Sequence, residues 1–299
     1  MTPGDEVPPI ADLYVPVSMS NAALKRLGAA LAESRSLSET EEALYRAFTA
    51  DAVRRYALVE AFLRQVSFDM MFNEPVVLDI RGRAKIRLTL AEKLRRDPAL
   101  KLPSIQDVAG VRIVGDLRLV EQRVLAMVIA ETIDKYLAVS RPSVIHDRLD
   151  HPSHGYRAIH IVSYIKARPV EIQLRTLLQH QWASYVEALG DRWGRELRYG
   201  EAIQAPTPEL AAVREEVVKD LESLSTTMIS RVEEAADVLW PLRASRLALD
   251  SQKWSPEVLE ERMAQAREIE PTVERGRQAV VRMLESIISR AEGIGSTIQ

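Results

Sequence analysis

The segment PVEIQLRT, residues 169–176, runs directly into LLQHQWASYVEAL, residues 177–189, and the reading of this junction decides the fold. At a repeat of two, Val170, Ile172 and Leu174 face one side of a strand, and Glu171, Gln173 and Arg175 face the other. A polar row of this kind is ordinarily a solvated sheet face. Here an apolar stretch of helical period follows at once, which points to a covered strand that lines a pocket. A carboxylate, an amide and a guanidinium in one row suit a site that handles a metal, a hydroxyl and phosphates.

Outward from this junction, β-like runs recur at residues 75–80, 108–114 and 158–165, with 170–174 as the fourth. Helical runs lie between and after them at 88–96, 119–136 and 177–189. Strands interleaved with helices predict a mixed α/β (α+β) fold, a mixed sheet flanked by helices. Residues 75–200 form this core, and helical extensions occupy both ends. The N-terminal part, 1–74, opens on a proline-rich arm over 1–17 and continues as helix from Ser18 to about Val66, with Ser38 and Glu41 spaced as a capping box. The C-terminal part, 201–299, reads as helix with breaks at Pro241 and at SQKWSPE, residues 251–257. In it Leu210, Val213, Val217, Leu221, Leu224 and Met228 recur at helical spacing, as a packing stripe or as a surface for a second copy or a neutralising partner.

Composition narrows the function classes. The 299 residues include no cysteine, so disulfides and thiolate metal sites are excluded. No apolar run approaches the roughly 18 residues of a membrane span, and the first twenty lack a signal-peptide pattern. A cytoplasmic protein is expected. The net charge of −3 leaves any nucleotide affinity to a local patch.

Such a patch exists. Between Arg81 and Lys101 stand eight Lys/Arg against only Glu92 and Asp97. Arg83, Lys85 and Arg87 alternate as on an extended segment, whereas Lys93 and Arg96 share a helix face, with Thr89 near the helix start. A charge run is most often a solvated helix face, but this hand-off could also close around a polyphosphate. Asp107 opens the apolar run of SIQDVAGVRIVGD, a frequent place for a turn residue. Beside Glu171 it becomes one of two hard carboxylates able to hold Mg²⁺. In HGYRAIH, Gly155 permits an unusual backbone and Tyr156 could stack on a base. All five histidines fall between His146 and His180, yet nothing in the spacing brings them to one point. His146-Asp147 is like the pair of metal phosphohydrolases, but the further histidine those enzymes need upstream is absent. Neither G-x-x-x-x-G-K-[ST] nor G-x-G-x-x-G occurs, which removes P-loop and Rossmann readings.

Taken in order, R-A-K…T…EKLRR (83–96), QDVAGVRI (106–113), HGYRAIH (154–160) and VEIQLRT (170–176) with a following WAS resemble the synthetase domain of RelA/SpoT proteins, over about residues 75–195. Only that half is matched, and the N-terminal part is too short for the companion hydrolase, so the chain is similar to the small alarmone synthetases. The resemblance implies transfer of the β,γ-pyrophosphate of ATP to a ribose 3′-hydroxyl with Mg²⁺ as cofactor. By position, it implies that Arg83 and Arg112 sandwich adenine. Lys85, Thr89, Lys93 and Arg96 match holders of the ATP phosphates. Asp107 and Glu171 match the metal carboxylates, with Glu171 also activating the attacking hydroxyl. Tyr156 matches the residue that stacks on the acceptor base, and His160 and Gln173 match the acceptor pocket, where Arg175 is among the nearby cations.

Two positions depart from that pattern. Ile86 stands where the family usually has serine, and DHPSHGY, residues 150–156, lacks the usual lysine before Gly-Tyr. With the long C-terminal helical part, these features resemble the toxic branch of small alarmone synthetases from actinobacteria and their phages. The expected acceptor is GDP or GTP, giving a guanosine 3′-pyrophosphate in stress signalling. The alternatives are the 3′ CCA end of tRNA, for a toxin with a cognate antitoxin, and a catalytically degenerate regulator that only binds nucleotide or RNA.

Overall fold

The computed structural model describes residues 14–66, 68, 76–137, 139–201, 205–238 and 255–296. Two helices open the chain. Helix α1 (Asn21–Ala32) starts where the Ser20 hydroxyl accepts the Ala23 N–H at 3.1 Å. Helix α2 (Glu39–Gln65) starts at the expected capping box of Ser38 and Glu41. Each cap satisfies a backbone donor that the first helical turn leaves without an internal partner.

A five-stranded sheet follows: β1 (Leu78–Ala84), β2 (Ala109–Gly115), β3 (Val144–Asp147), β4 (Ile159–Ile165) and β5 (Arg168–Thr176), in spatial order β1-β2-β5-β4-β3. Only β2 and β5 run parallel; the other neighbours are antiparallel. Helix α3 (Arg87–Arg96) connects β1 to the β2 side, α4 (Leu119–Tyr136) crosses from β2 to β3, and α5 (Leu177–Trp193) leaves β5 through a second capping box of Thr176 and Gln179. The mixed α/β architecture read from the sequence is the observed one.

Paired residues project to the same face of a sheet, so register decides what shares a surface. On one face Ile80, Val111, Ile113, Ile161, Ile172 and Leu174 form a single apolar core with Val59 and Phe62 of α2 and Leu125, Ile129 and Ile133 of α4. The other face carries two polar rows. Arg83 pairs with Gly110 and Gly110 with Glu171, while Arg112 pairs with Gln173 and Gln173 with His160. A second apolar cluster covers part of this polar face. In it Trp182 of α5 packs with Val217 and Leu221 of α6 (Pro208–Ser223) and with Val280 and Leu284 of α8 (Pro256–Ser296). The Trp182 indole N–H donates to the Leu221 carbonyl at 2.7 Å.

Within the C-terminal stripe Leu210, Val217, Leu221 and Leu224 are buried inside the chain, and only Val213 is substantially exposed, at 37%. The stripe therefore packs within this chain. A π-helical turn (Leu224–Ile229) joins α6 to α7 (Ser230–Asp237) without a break. The expected breaks at Pro241 and over 251–254 lie outside the described residues, as does the arm over 1–13.

Two elements differ from the sequence reading. Strand β1 is shifted from 75–80 to Leu78–Ala84 because the basic residues Arg81 and Arg83 pair with β2 at the edge of the sheet, where no apolar period is required. Strand β3 has no sequence signal: all four of its residues are exposed, so no alternation marks it. Among the described residues no helix is long and apolar enough to cross a membrane.

Candidate active site

The polar rows open into a cavity of about 310 Å³. Arg83, Lys85, Lys93, Arg96 and Asp107 line it from the β1–α3 side, and Tyr156, His160, Glu171, Gln173 and Arg175 from the β4–β5 side. On strand β2, between them, Gly110 pairs with both Arg83 and Glu171. A Cβ added there would stand 3.6 Å from Arg83 Cγ and 3.7 Å from the Glu171 carbonyl. No side chain of β2 therefore stands between Arg83 and Glu171 in this row.

Asp107 lies in the turn before β2, and its two carboxylate oxygens accept from different lysines. One accepts from Lys85 Nζ, and the other from Lys93 Nζ at 2.9 Å. Burial pushes its carboxyl up, but the two ammonium groups outweigh burial and hold it at about 2. Asp107 is ionised at neutral pH, and two cations stand around it where a polyphosphate and its counterion would lie.

Glu171 is buried and held at both oxygens. His160 Nδ1 lies 3.1 Å from Oε1, and Gln173 Nε2 donates to Oε2 at 2.7 Å. Burial raises the Glu171 carboxyl and the charge of Asp107 adds to that, yet the His160 and Gln173 contacts prevail and lower it. Tyr156 Oη lies 2.8 Å from His160 Nε2, and Arg175 Nη2 donates to it at 3.1 Å. Burial raises the Tyr156 phenol and keeps it protonated.

The donor set fits a magnesium ion. Mg²⁺ takes hard oxygens and is usually held by one or two carboxylates, with substrate phosphates and water completing its shell. Asp107 and Glu171 supply two such groups, close enough that each charge acts on the other. Among the described residues no group of three or more His, Cys, Asp or Glu comes together. Asp107 and Glu171 would contribute two carboxylates to a shell that substrate phosphates and water would finish.

The basic run from Arg81 to Lys101 does not form one surface. Arg81 pairs with Asp79 at 2.9 Å, Arg87 with Glu42 at 3.0 Å, Arg95 donates to Ser34 Oγ at 2.6 Å, and Lys101 donates to the Pro98 carbonyl at 2.8 Å. The expected alternation of Arg83, Lys85 and Arg87 stops at Ala84. Arg87 begins α3 and leaves the cavity. Thr89 and Arg112 are outside the lining. The Thr89 hydroxyl donates to the Ile86 carbonyl at 2.8 Å, in the first turn of α3. Arg112 shares the polar face one row from Arg83, and burial together with the Arg175 charge lowers its guanidinium.

Tyr199 and Glu187 line the cavity without a signal in the sequence, whereas Arg148 and His154 stand close to Tyr156 in the chain. Tyr199 follows α5 in a short 3₁₀ turn, and Arg96 Cζ lies 3.4 Å from its ring centroid. His154 and Arg148 also reach the cavity.

A family model described as the region found in RelA/SpoT proteins matches residues 82–189. A protein of Mycobacterium tuberculosis (strain H37Rv), itself uncharacterised, is 37% identical over 220 residues, covering 71% of this chain and 77% of that one. The chain belongs to the RelA/SpoT family. As a member it is a pyrophosphokinase-type enzyme. The GTP pyrophosphokinase YjbM of Bacillus subtilis is 28% identical over 163 residues, covering 46% of this chain and 72% of that protein. The crystal structure of small alarmone synthetase 1 from Bacillus subtilis superimposes with a TM-score of 0.50 at 20% identity, covering 66% of this chain and 96% of that one, a likeness of fold. The family match spans the cavity from Arg83 to Arg175; Tyr199 and the C-terminal helices lie beyond it.

Proposed function

We propose that this RelA/SpoT member transfers the β,γ-pyrophosphate of ATP to the ribose 3′-hydroxyl of GDP or GTP. The observation that carries the reading is the division of one cavity. Four cations and Asp107 stand on the β1–α3 side, and a buried carboxylate with an aromatic ring stands on the β4–β5 side. ATP brings about four negative charges, which Arg83, Lys85, Lys93 and Arg96 can match. Lys85 and Lys93 exchange Asp107 for phosphate oxygens when the nucleotide enters. Thr89 in the first turn of α3 and Arg112 one row from Arg83 are assigned to the same nucleotide. On the acceptor side Tyr156 takes the base and Glu171 faces the ribose.

The 3′-oxygen of the acceptor attacks the β-phosphorus. The bond from that phosphorus to the oxygen of the α-phosphate breaks, AMP leaves, and the hydroxyl proton passes to Glu171. Magnesium held by Asp107 and Glu171 would neutralise charge on the transferred phosphates. Transfers of this type are accelerated mainly by position and fixed charge, and both are present in the side-chain arrangement.

The test uses γ-labelled ATP and Mg²⁺ with GDP, GTP and deacylated tRNA in parallel. Label is expected in the guanine nucleotides and absent with Glu171→Gln. Label confined to tRNA would replace the acceptor and keep the chemistry; no label in any acceptor would overturn the reading.

A further inference from the structure

The side chains around Glu171 close into a ring of hydrogen bonds. Arg175 Nη2 donates to Tyr156 Oη at 3.1 Å, Tyr156 Oη contacts His160 Nε2 at 2.8 Å, and His160 Nδ1 contacts Glu171 Oε1 at 3.1 Å. On the other arm Arg175 Nη2 donates to Gln173 Oε1 at 3.1 Å, and Gln173 Nε2 donates to Glu171 Oε2 at 2.7 Å. For a neutral imidazole the two ends fix every direction. A guanidinium only donates and an ionised carboxylate only accepts. Tyr156 therefore accepts from Arg175 and gives its own hydrogen to His160 Nε2. That leaves the imidazole hydrogen on Nδ1, where it donates to Glu171.

We propose that Tyr156 and Glu171 work as one unit through His160, so that docking of the acceptor base also aims the carboxylate. His160 is then a positioning residue, and the proposal rests on the pyrophosphate transfer described above. Geometry limits how a base can dock. Arg175 Cζ stands over the Tyr156 ring at 5.1 Å from its centroid. The imidazole of His160 meets the same ring edge-on, with centroids 5.6 Å apart and planes at 78°. A flat base that docks on the part of the Tyr156 ring lining the cavity leaves the phenol oxygen in place and the ring closed. A base that tilts the phenol breaks its bond to His160 and frees Glu171 to rotate. Selection among acceptors would then appear in kcat more than in KM.

Two variants open the ring at the same point. Tyr156→Phe keeps the stacking surface and removes the hydroxyl. His160→Asn keeps a donor near the Nδ1 position and removes the Nε2 acceptor. Each is expected to lower kcat at saturating ATP by about 3- to 10-fold, the usual effect of one hydrogen bond, with the acceptor KM changed less than kcat. The double variant should be no slower than either single one, because both remove the same link. Long-range ¹H–¹⁵N NMR of histidine-labelled wild-type protein without nucleotide, at a pH where imidazole is neutral, should show His160 with hydrogen on Nδ1. The same spectrum of Tyr156→Phe should show a mixture of tautomers. Additive losses in the double variant, an unchanged kcat in Tyr156→Phe, or an Nε2–H tautomer in the wild type would each overturn the coupling. If wild-type protein transfers label to no acceptor, the functional reading fails, and the tautomer spectra still decide the ring.

Discussion

Glu233 is the side chain whose removal should be most damaging outside the cavity. It projects from α7, is 5% exposed, and accepts from Arg157 Nη1 at 2.6 Å, Thr176 Oγ1 at 2.5 Å and Gln179 Nε2 at 3.1 Å. Arg157 is 3% exposed and keeps only one other hydrogen bond among the described residues, from Nε to the Leu149 carbonyl at 3.2 Å. Glu233→Ala therefore strands a buried guanidinium, while Gln179 Nε2 keeps Gln122 Oε1 and Thr176 Oγ1 keeps the Gln179 N–H; removal of one partner of a buried pair costs about 3–5 kcal/mol. With an m-value of about 3 kcal/mol/M, the urea midpoint should fall by about 1–2 M. Replacing both partners, as Arg157→Met with Glu233→Leu, should restore most of the loss, since the penalty lies in the isolated charge. The sign of the pH dependence follows from burial, which raises the Glu233 carboxyl above 4.5 despite the pull of Arg157. An acid raised in the folded state contributes stability below its ordinary value and loses it as pH rises through the raised one. Glu233→Gln should remove that slope. A midpoint drop worth less than about 1 kcal/mol in Glu233→Ala, or a double variant as unstable as the single one, would refute the reasoning.

Two further outcomes follow from local geometry. Gly155→Ala should be strongly destabilising and should disturb Tyr156. Gly155 has φ of 76°, and the added Cβ would stand 2.7 Å from Trp182 Cζ2 and 3.1 Å from the Glu222 Cα, which thermal melts against Ser153→Ala would register. Glu41 is held at about 2 by the Arg35 hydrogen bond and the Ser38 backbone N–H. Its contribution to α2 is present above 4.5 and is lost as pH falls through about 2. Carboxyl ¹³C NMR should find its midpoint moved towards 4.5 in Arg35→Ala, and no movement would count against the bidentate pair.

The family match and the catalytic groups occupy the same part of the molecule. The matched region, 82–189, contains both carboxylates and the tyrosine. The helices beyond it complete the surroundings of those groups. Ser225, in the π-helical turn, donates to the Gly155 carbonyl at 2.5 Å, and Glu233 holds Arg157, the neighbour of Tyr156. The HGYR segment is thus clamped from the C-terminal part of the chain on both sides of Tyr156.

The amino-acid sequence by itself determined what depends on near neighbours. The capping box of Ser38, the span of α4 and the polar row of β5 all follow from spacings of two, three or four residues, and these survive into the fold unchanged. The four ordered motifs also carry Asp107, Tyr156 and Glu171, which line one cavity. Tertiary structure decided which members of the basic run enter the cavity, since Arg87 is drawn to Glu42, 45 positions away, and Arg95 to Ser34, 61 away. It decided that Tyr199 stacks under Arg96 and that Glu233 closes a buried network with Arg157, 76 positions earlier. It also aligned Arg83, Gly110 and Glu171 in one row by strand register. The reason is physical. Caps and periodicity are energies of adjacent residues, whereas the partner of a buried charge is set by which distant segments the core brings within hydrogen-bond reach.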